Sequence, residues 1–512
     1  MPSMLLHHSL EATAARVPDK VALVIGPRRY TYREIEAGAT RMAASLQRLG
    51  VTPGDRVVIL ADNGIEVVIA LYGVLKAGAV FVPVNSLTKH EHLQYLLNDS
   101  RAKALVTTQF LRAAWEPALE RSPTVVACVV SPRPVDGAEP RLHSWEEAIS
   151  DEGAPPRPTV MIDQDLASIL YTSGSTGEPK GVMLTHLNMI SAARSVNSYL
   201  GMTSEDVILC ALPLSFGYGL YQILMGFMLG ATVVLERSFS FPVRTLEIMA
   251  KEGVTVFPGV PTMFSMMLGL QNLADFDLRR LRMITNAAAA LSERHLEELR
   301  KRLPQAALFS MYGLTECKRV TYLPPDQLDV RPTSVGRGIP NQEHWLVDET
   351  GQRLPNGSTG ELVIRGSHVM RGYWEKPEET AQRLRPGPNP GELVLYSGDV
   401  FRTDEEGFLY FVSRKDHIIK SRGEKVSPNE VENVLYALDG VQEAAVIGVP
   451  DEILGQAIKA FVVLRPGCAL SEREVLRHCQ ERLESFRVPK HIAIVTELPK
   501  TGTGKILKIG LA

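Results

Sequence analysis

Residues 171–181 read YTSGSTGEPKG, and seven of the ten residues after Tyr171 are Gly, Ser or Thr. The run ASILYT before this loop predicts a strand, and HLNMISAARSVNSYL after it predicts a helix. Glycine lacks the Cβ that blocks close approach, so backbone N–H groups of such a turn can surround an anion, and Lys180 adds a positive charge. The loop therefore suits phosphate. A P-loop kinase is disfavoured, because no GK[ST] follows and Pro179 precedes the lysine.

The segments on either side of the loop alternate between predicted strands and helices. Thr31 and Glu34 form a capping-box pair that starts a helix ending near Gly50. Further along, the strands RVVILA and AVFVPV alternate with helices such as IEVVIALYGVLKAG, and the same rhythm returns between Leu166 and Met311. Strands that are apolar on both faces predict parallel sheets covered on both sides. We expect two stacked α/β halves.

The pattern changes after Ser310, where TGELVIRGSHVMRGYW and GFLYFVSRKDHIIKSRG predict a β-rich region. A smaller α+β unit follows, with the predicted helices SPNEVENVLYAL and SEREVLRHCQERL and the strands EAAVIGV, AIKAFVVL and HIAIV. The predicted fold class is thus α/β. A large N-terminal domain, residues 1–415, would contain stacked α/β subdomains plus a β-rich subdomain, and a small, mobile α+β C-terminal domain would span residues 416–512.

Composition excludes several classes of protein. The chain of 512 residues is too long for a single compact core, and 45% hydrophobic with 22% charged residues describes a folded protein. A net charge of −3 provides no basic field for nucleic acid. The most apolar stretch, LYQILMGFMLGATVVL, is too short to span a membrane and predicts a buried helix running into a strand. Five scattered cysteines without metal-ligand spacing, and no signal-peptide pattern, predict a cytoplasmic location.

Five motifs in a fixed order carry a family resemblance. YTSGSTGEPKGV resembles the phosphate-loop signature of the adenylate-forming (AMP-binding) superfamily, which includes acyl-CoA synthetases, luciferases and peptide-synthetase adenylation domains. MYGLTE at 311–316, YSGD at 396–399, SRKDHIIKSRGEKVSPNEVE at 413–432 and PKTGTGK at 499–505 follow in the family's order. One such motif is weak evidence, but five in order, within a likeness along nearly the whole chain, are specific.

The resemblance implies a two-step reaction with ATP, Mg²⁺ and a small-molecule carboxylic acid. The carboxylate attacks the α-phosphate to give an acyl-adenylate and pyrophosphate, and CoA then displaces AMP to give an acyl-CoA. A carrier-protein thiol, or the amine of an amino acid as in free-standing ligases similar to coronafacate ligase, would be an alternative acceptor. A non-catalytic acyl-nucleotide sensor on the same fold is a third reading, which the retention of Lys505, Glu316 and Asp399 disfavours.

The resemblance also assigns roles to individual residues. Glu316 would hold Mg²⁺, which prefers oxygen ligands, Thr315 would donate to the α-phosphate, and Lys505 would reach both the carboxylate and the α-phosphate. Asp399 would accept hydrogen bonds from the ribose hydroxyls, and Tyr312 would lie against adenine. Arg414 would contact ribose or phosphate. The residues expected to cradle the β- and γ-phosphates are Thr172, Ser173, Gly174, Ser175, Thr176, Gly177 and Lys180.

The acyl pocket departs from related enzymes at two positions. Phe216 stands where many acyl- and aryl-CoA ligases have histidine, and Gly217 stands where amino-acid-activating domains have an aspartate. A buried ammonium without a counter-ion is costly, so we expect fatty, alicyclic or aryl acids rather than α-amino acids as substrates. Tyr218, Met311 and the alanine run that includes Ala288 would line the rest of this pocket. The roles of Cys317, Lys318 and Arg319 stay open between a polar acyl substituent and solvent.

Two further residues would serve domain movement. The two half-reactions need different groups at one adenylate, so we expect the small domain to rotate between them. Lys415–Asp416 resembles the family's hinge, and Asp416 is the predicted pivot. The loop around Gly423 would replace Lys505 at the site for the transfer step.

Overall fold

The glycine-rich loop joins two strands of a mostly parallel sheet in the computed structural model. The model describes residues 4–132, 140–150, 155–172, 179–288, 291–415, 419–421, 424–451, 454–483, 485, 487–500, 506–508 and 511. In spatial order, this first sheet contains Gly372–Tyr373, Lys180–Thr185, Leu166–Thr172, Val80–Val84, Arg56–Leu60, Ala102–Thr108, Ala127–Ser131 and Leu142–Ser144. Its strands pair in parallel except at the loop side, where the first three run antiparallel.

A second sheet repeats this architecture. In spatial order it contains Arg337–Gly338, Thr321–Leu323, Ala307–Tyr312, Met283–Asn286, Val256–Gly259, Val207–Cys210, Thr232–Leu235, Val21–Ile25 and Arg28–Thr31. The central strands are parallel, and antiparallel pairs occur toward both edges. Side chains from both sheets, among them Val57 and Ile208, share one buried cluster, while Val58 lies in a separate cluster on the other face of the first sheet. The predicted stacking of two α/β halves with doubly buried strands is confirmed.

Helices cover the faces of these sheets. Thr31 accepts a hydrogen bond from the Glu34 amide, and the Glu34 carboxylate accepts one from the Thr31 amide, so the predicted capping box is confirmed. The longest apolar stretch forms a buried helix and a strand separated by Gly230, whose φ of +87° ends the helix. The α-helices are His8–Arg16, Tyr32–Arg48, Ile65–Lys76, His90–Asp99, Arg112–Glu120, Trp145–Ser150, His186–Leu200, Gly217–Leu229, Pro242–Glu252, Pro261–Leu268, Glu293–Arg302, Pro377–Arg383, Pro428–Tyr436 and Glu472–Arg482.

An antiparallel sheet forms the predicted β-rich region. It contains Gln342–Val347, Thr359–Gly366, Leu393–Thr403 and Leu384–Pro386 in that order, and Leu409–Arg414 pairs with Leu393–Thr403. The short 3₁₀ turns of the chain are Gln109–Leu111, Leu273–Asp275, Thr315–Cys317 and Pro325–Gln327.

The C-terminal region has its own sheet and core. The strands are Glu424–Val426, Ile419–Ser421, Gly455–Leu464 and Val441–Asp451 in spatial order, with His491–Val495 parallel to Gly455–Leu464. Two helices pack on this sheet. The buried side chains of Ile419, Val431, Val446 and Val462 belong to one hydrophobic cluster. The predicted α+β class of this region is confirmed, while the boundary between residues 415 and 416 stays a prediction. Within the described ranges, no helix combines the length and apolar character needed to cross a bilayer.

Candidate active site

The glycine-rich loop closes a hairpin. Thr172 and Lys180 are register partners at the ends of two antiparallel strands, and the Thr172 hydroxyl donates to the Lys180 carbonyl at 3.5 Å. The sequence analysis missed the second strand, Lys180–Thr185, which precedes the helix. The predicted phosphate-binding residues Ser173, Gly174, Ser175, Thr176 and Gly177 lie outside the described residues.

Aromatic side chains fix both arms of this hairpin to the helix His90–Asp99. The Tyr171 hydroxyl donates to the Asp99 carboxylate, and the Tyr95 hydroxyl donates to the Pro179 carbonyl at 3.2 Å. Burial, the hydrogen bond and the charge of Asp99 raise the pKa of Tyr171, which keeps its hydroxyl a neutral donor. The two ends of the loop are therefore anchored to the same helix, a role for Asp99 that the sequence analysis missed.

A tyrosine links the predicted metal-binding carboxylate to the loop lysine. Glu316 lies in the 3₁₀ turn that Thr315 begins, directly after the strand Ala307–Tyr312. The Tyr373 hydroxyl donates to Glu316 Oε1 at 2.7 Å, and Lys180 Nζ lies 5.6 Å from the centroid of the Tyr373 ring. Burial and the negative charge of Glu316 raise the pKa of Tyr373. Tyr373 was not predicted as a site residue, because it is 57 positions away from Glu316.

The predicted nucleoside-binding residues also converge. The Tyr312 hydroxyl donates to Asp399 Oδ2 at 2.5 Å, and Arg414 Nε lies 3.8 Å from Asp399 Oδ1. Asp399 and Arg414 are register partners on adjacent strands. Burial and the charge of Asp399 raise the pKa of Tyr312 well above its ordinary value, so its hydroxyl is a neutral donor. The ring of Tyr312 stands edge-on to Phe401, with centroids 4.8 Å apart.

The predicted acyl-pocket residues lie where three elements meet. Gly217 begins the helix Gly217–Leu229 directly after the half-buried Phe216. Tyr218 is buried, and its hydroxyl donates to the Thr285 carbonyl at 2.9 Å, which fixes the ring.

The other predicted pocket residues lie on two neighbouring strand ends. Met311 is buried, and its Sδ accepts a hydrogen bond from the Tyr199 hydroxyl at 3.0 Å. Ala288 has a φ of +74°, a conformation that is rare for a residue with a side chain and is found at binding sites more than elsewhere.

Lys318 and Arg319 turn inward toward Gly217 and Tyr218, while the adjacent Cys317 is buried. Lys318 Nζ donates to the Gly217 carbonyl at 2.8 Å, and Arg319 is only 3% exposed. Burial and the neighbouring charge of Arg319 lower the pKa of Lys318 well below its ordinary value. The alternative that Arg319 faces solvent is therefore wrong. Lys318 and Gly217 are 101 positions apart, and such contacts leave no local sequence pattern. The sequence alone therefore left the role of Lys318 and Arg319 open.

Three predicted residues, Lys505, Asp416 and Gly423, lie outside the described residues. Lys415, next to Asp416, donates through Nζ to Glu361 Oε2 at 2.8 Å.

Comparison with known proteins identifies the family. The family model described as AMP-binding enzyme matches residues 10–374, and the model described as AMP-binding enzyme C-terminal domain matches residues 430–505. A long-chain-fatty-acid–CoA ligase of Bacillus subtilis (strain 168) is 33% identical over 534 residues, which cover 99% of this chain and 94% of that protein.

Solved structures agree with this assignment. The anthranilate CoA ligase AuaEII in complex with anthranoyl-AMP is 29% identical, with a TM-score of 0.88 over 99% of this chain and 96% of that chain. The amide bond synthetase McbA from Marinactinospora thermotolerans is 26% identical, with a TM-score of 0.89 over 99% of each chain. The chain therefore belongs to the AMP-binding enzyme family, as an acyl-adenylate-forming ligase.

Proposed function

We propose that this protein is an AMP-forming acyl-CoA synthetase. A carboxylate oxygen of the acid attacks the α-phosphorus of ATP, the bond to the bridging oxygen breaks, and pyrophosphate leaves. The sulfur of CoA then attacks the acyl carbon, AMP leaves with the electron pair of the broken bond, and an acyl-CoA forms. The observation that carries the proposal is the convergence of Lys180 and Glu316 on Tyr373, because a reacting polyphosphate needs a cation-binding carboxylate and a lysine close together.

We assign the remaining roles as follows. Lys180, with Thr172 and the loop between them, binds the β- and γ-phosphates. Asp399 accepts from the ribose hydroxyls and replaces its hydrogen bond to Tyr312 in doing so. The neutral Tyr312 then lies against adenine. Arg414, beside Asp399, reaches ribose or phosphate, Thr315 donates to the α-phosphate, and Lys505 neutralises the attacking carboxylate.

Glu316 fits a magnesium ion. Its carboxylate offers oxygen, the donor that Mg²⁺ prefers, and a single carboxylate plus phosphate oxygens is a common magnesium environment. Tyr373 holds Oε1 in place, as an outer-sphere partner of a metal ligand does. Bound there, Mg²⁺ would neutralise charge on the phosphate oxygens.

Amide formation is the second candidate, favoured by the similarity to the amide bond synthetase McbA. Adenylation would be the same, and an amine nitrogen instead of a thiol would attack the acyl carbon.

We further propose a boundary between the two domains at residues 415 and 416. We also propose a cytoplasmic location, where thiols such as the buried Cys210 and Cys479 stay reduced.

A panel of carboxylic acids scored by pyrophosphate release tests the function, and repeating it with CoA and with amines identifies the acceptor. We expect ATP-dependent pyrophosphate release with at least one acid and thioester formation with CoA. Product only in the presence of an amine would replace the first candidate by the second. No pyrophosphate release with any acid would contradict both.

Changing Tyr373 to phenylalanine is expected to raise the Mg²⁺ concentration for half-maximal pyrophosphate release by about 10- to 100-fold, because the ring remains while the hydrogen bond that orients Glu316 is lost. Tyr410→Phe is the matched control, since its hydroxyl binds Asp404 in the same way on the β-rich region. A Tyr373→Phe enzyme with an unchanged Mg²⁺ requirement would remove Tyr373 from the site.

A further inference from the structure

Two basic side chains converge on one aromatic ring at the predicted acyl pocket. Lys318 Nζ lies 5.3 Å from the centroid of the Tyr218 ring and 4.5 Å from that of Tyr221. The guanidinium carbon of Arg319 lies 5.0 Å from the same Tyr218 ring. Lys318 also donates to the carbonyl of Gly217. Two consecutive basic residues therefore cover the start of the helix Gly217–Leu229.

These groups have no acidic partner in the part of the chain that the structure describes. Arg319 forms no ion pair with a described carboxylate, and its buried Nε has no hydrogen-bond partner among the described residues. Lys318 likewise pairs only with a backbone carbonyl and ring faces there. Burying cationic groups without a counter-ion is costly, and aromatic faces offset only part of that cost. A bound anion would offset that cost.

The basic pair is separate from the phosphate-binding groups. Glu316 and Lys180 make their own contact through Tyr373. Lys318 and Arg319 instead contact Gly217 and Tyr218, which we assign to the acyl group. An anion bound to Lys318 and Arg319 would therefore belong to the acid and not to ATP.

Resting on the proposed function, we propose that the activated acid is a dicarboxylic acid whose second carboxylate binds Arg319 and Lys318. The guanidinium fork of Arg319, whose Nε has no hydrogen-bond partner among the described residues, matches the two oxygens of a carboxylate. An ammonium has three donors, of which Lys318 uses one on Gly217. The first carboxylate reaches the α-phosphate, so one end of the molecule becomes the thioester and the other stays free.

Dicarboxylic acids of graded length, linear and aromatic, test this proposal against monocarboxylic acids of equal carbon number and against their own monomethyl esters. For the best dicarboxylic acid we expect kcat/KM for pyrophosphate release to exceed that of its ester by about 10- to 100-fold, the range of a charge-assisted hydrogen bond. A monocarboxylic acid or a monomethyl ester with activity equal to or better than that of every dicarboxylic acid would overturn the proposal while leaving the synthetase function intact. Failure of every acid would instead contradict the function.

Arg319→Met is expected to reduce the ratio of dicarboxylic to monocarboxylic acid activity by the same factor. Arg385→Met is the matched control, because Arg385 also rests on a tyrosine ring, that of Tyr396 at 4.2 Å, but is exposed. If thermal unfolding shows that Arg319→Met is not folded, the ratio of dicarboxylic to monocarboxylic acid activity is measured in Lys318→Met instead. An unchanged ratio in a folded variant would overturn the proposal.

Gly217→Asp introduces a negative charge from the protein itself next to Lys318. A Cβ at this position would have room, since the nearest atom to it would be Leu170 Cδ1 at 3.9 Å. We expect this variant to lose dicarboxylic acid activity more strongly than monocarboxylic acid activity, because its carboxylate competes for Lys318. Gly217→Asn has the same shape without the charge, and equal losses in both variants would show that charge is not what this pocket recognises.

Discussion

Replacing Lys505 by alanine is expected to slow pyrophosphate release by about 100- to 1,000-fold, the range for removing one group that stabilises developing charge. Transfer from presented acyl-adenylate to CoA should stay near the wild-type rate. The reason is that an anionic carboxylate attacking a polyphosphate needs a cation beside both, while the second step begins from an adenylate that has already formed.

The surroundings of Lys505 support its delivery by the small domain. Lys500 and Ile506 form an antiparallel bridge across residues 501–505, and Lys508 Nζ pairs with the buried Glu432 at 2.5 Å. Both ends of this segment are thus held by the C-terminal region, so a rotation of that region would carry Lys505 with it.

Lys500→Ala is the matched control, because it removes an equal charge from the same segment but breaks only a surface ion pair with Glu443. Pyrophosphate release in single turnover, set beside thioester formation from synthetic acyl-adenylate, measures the two steps separately. A Lys505→Ala enzyme that releases pyrophosphate near the wild-type rate would show that another group supplies the cation.

Proline at position 416 is expected to leave adenylation largely intact if its fixed φ suits the first conformation, and to slow transfer to CoA by about 100-fold. That factor corresponds to about 3 kcal/mol, the cost typical of proline in an unsuitable conformation. Proline is expected to slow the transfer step because rotation of the small domain between the two steps requires a change in backbone dihedral angles at the pivot.

The contacts around this position restrict where a pivot can be. The Lys415 amide donates to the Gly398 carbonyl at 2.8 Å, and Glu361 accepts from both Lys415 Nζ and the Gly398 amide. On the other side, Ile419 is buried in the core of the small domain. Residues 416–418 are therefore the connection between two fixed ends.

Asp416→Ala is the control, since it removes the same charge and keeps φ free. We expect it to retain both half-reactions. Equal losses of adenylation and transfer in Asp416→Pro, or no loss in either, would remove this residue from the domain movement.

Local signals in the sequence predicted most elements correctly. The capping pair Thr31–Glu34 predicted a helix start, and Ser471 and Glu474 form the same box at a helix in the small domain. Apolar runs such as Val80–Val84 predicted strands that are buried on both faces. Helix starts and buried strands both depend on residues that are neighbours in the chain, so a local pattern reveals them. The strand Lys180–Thr185 was missed, since it begins inside the glycine-rich motif and its apolar residues are consecutive instead of alternating.

The parts of the site that could not be predicted depend on contacts between distant residues. Tyr373 meets Glu316 only because an edge strand of the first sheet passes the turn after the strand Ala307–Tyr312. Lys318 reaches Gly217 for the same kind of reason. The family motifs named candidate residues such as Lys180, Glu316 and Asp399, but the contacts that these residues make depend on the tertiary structure.

The hairpin beneath the glycine-rich loop limits how this gene could have gained or lost codons. Gly181 pairs with Tyr171, and a Cβ in its place would lie 2.6 Å from Ile169 Cγ2. Deleting or inserting one residue in either arm would bring a side chain to that position and turn every later side chain of the strand to the opposite face. The two arms of the hairpin must therefore keep their length.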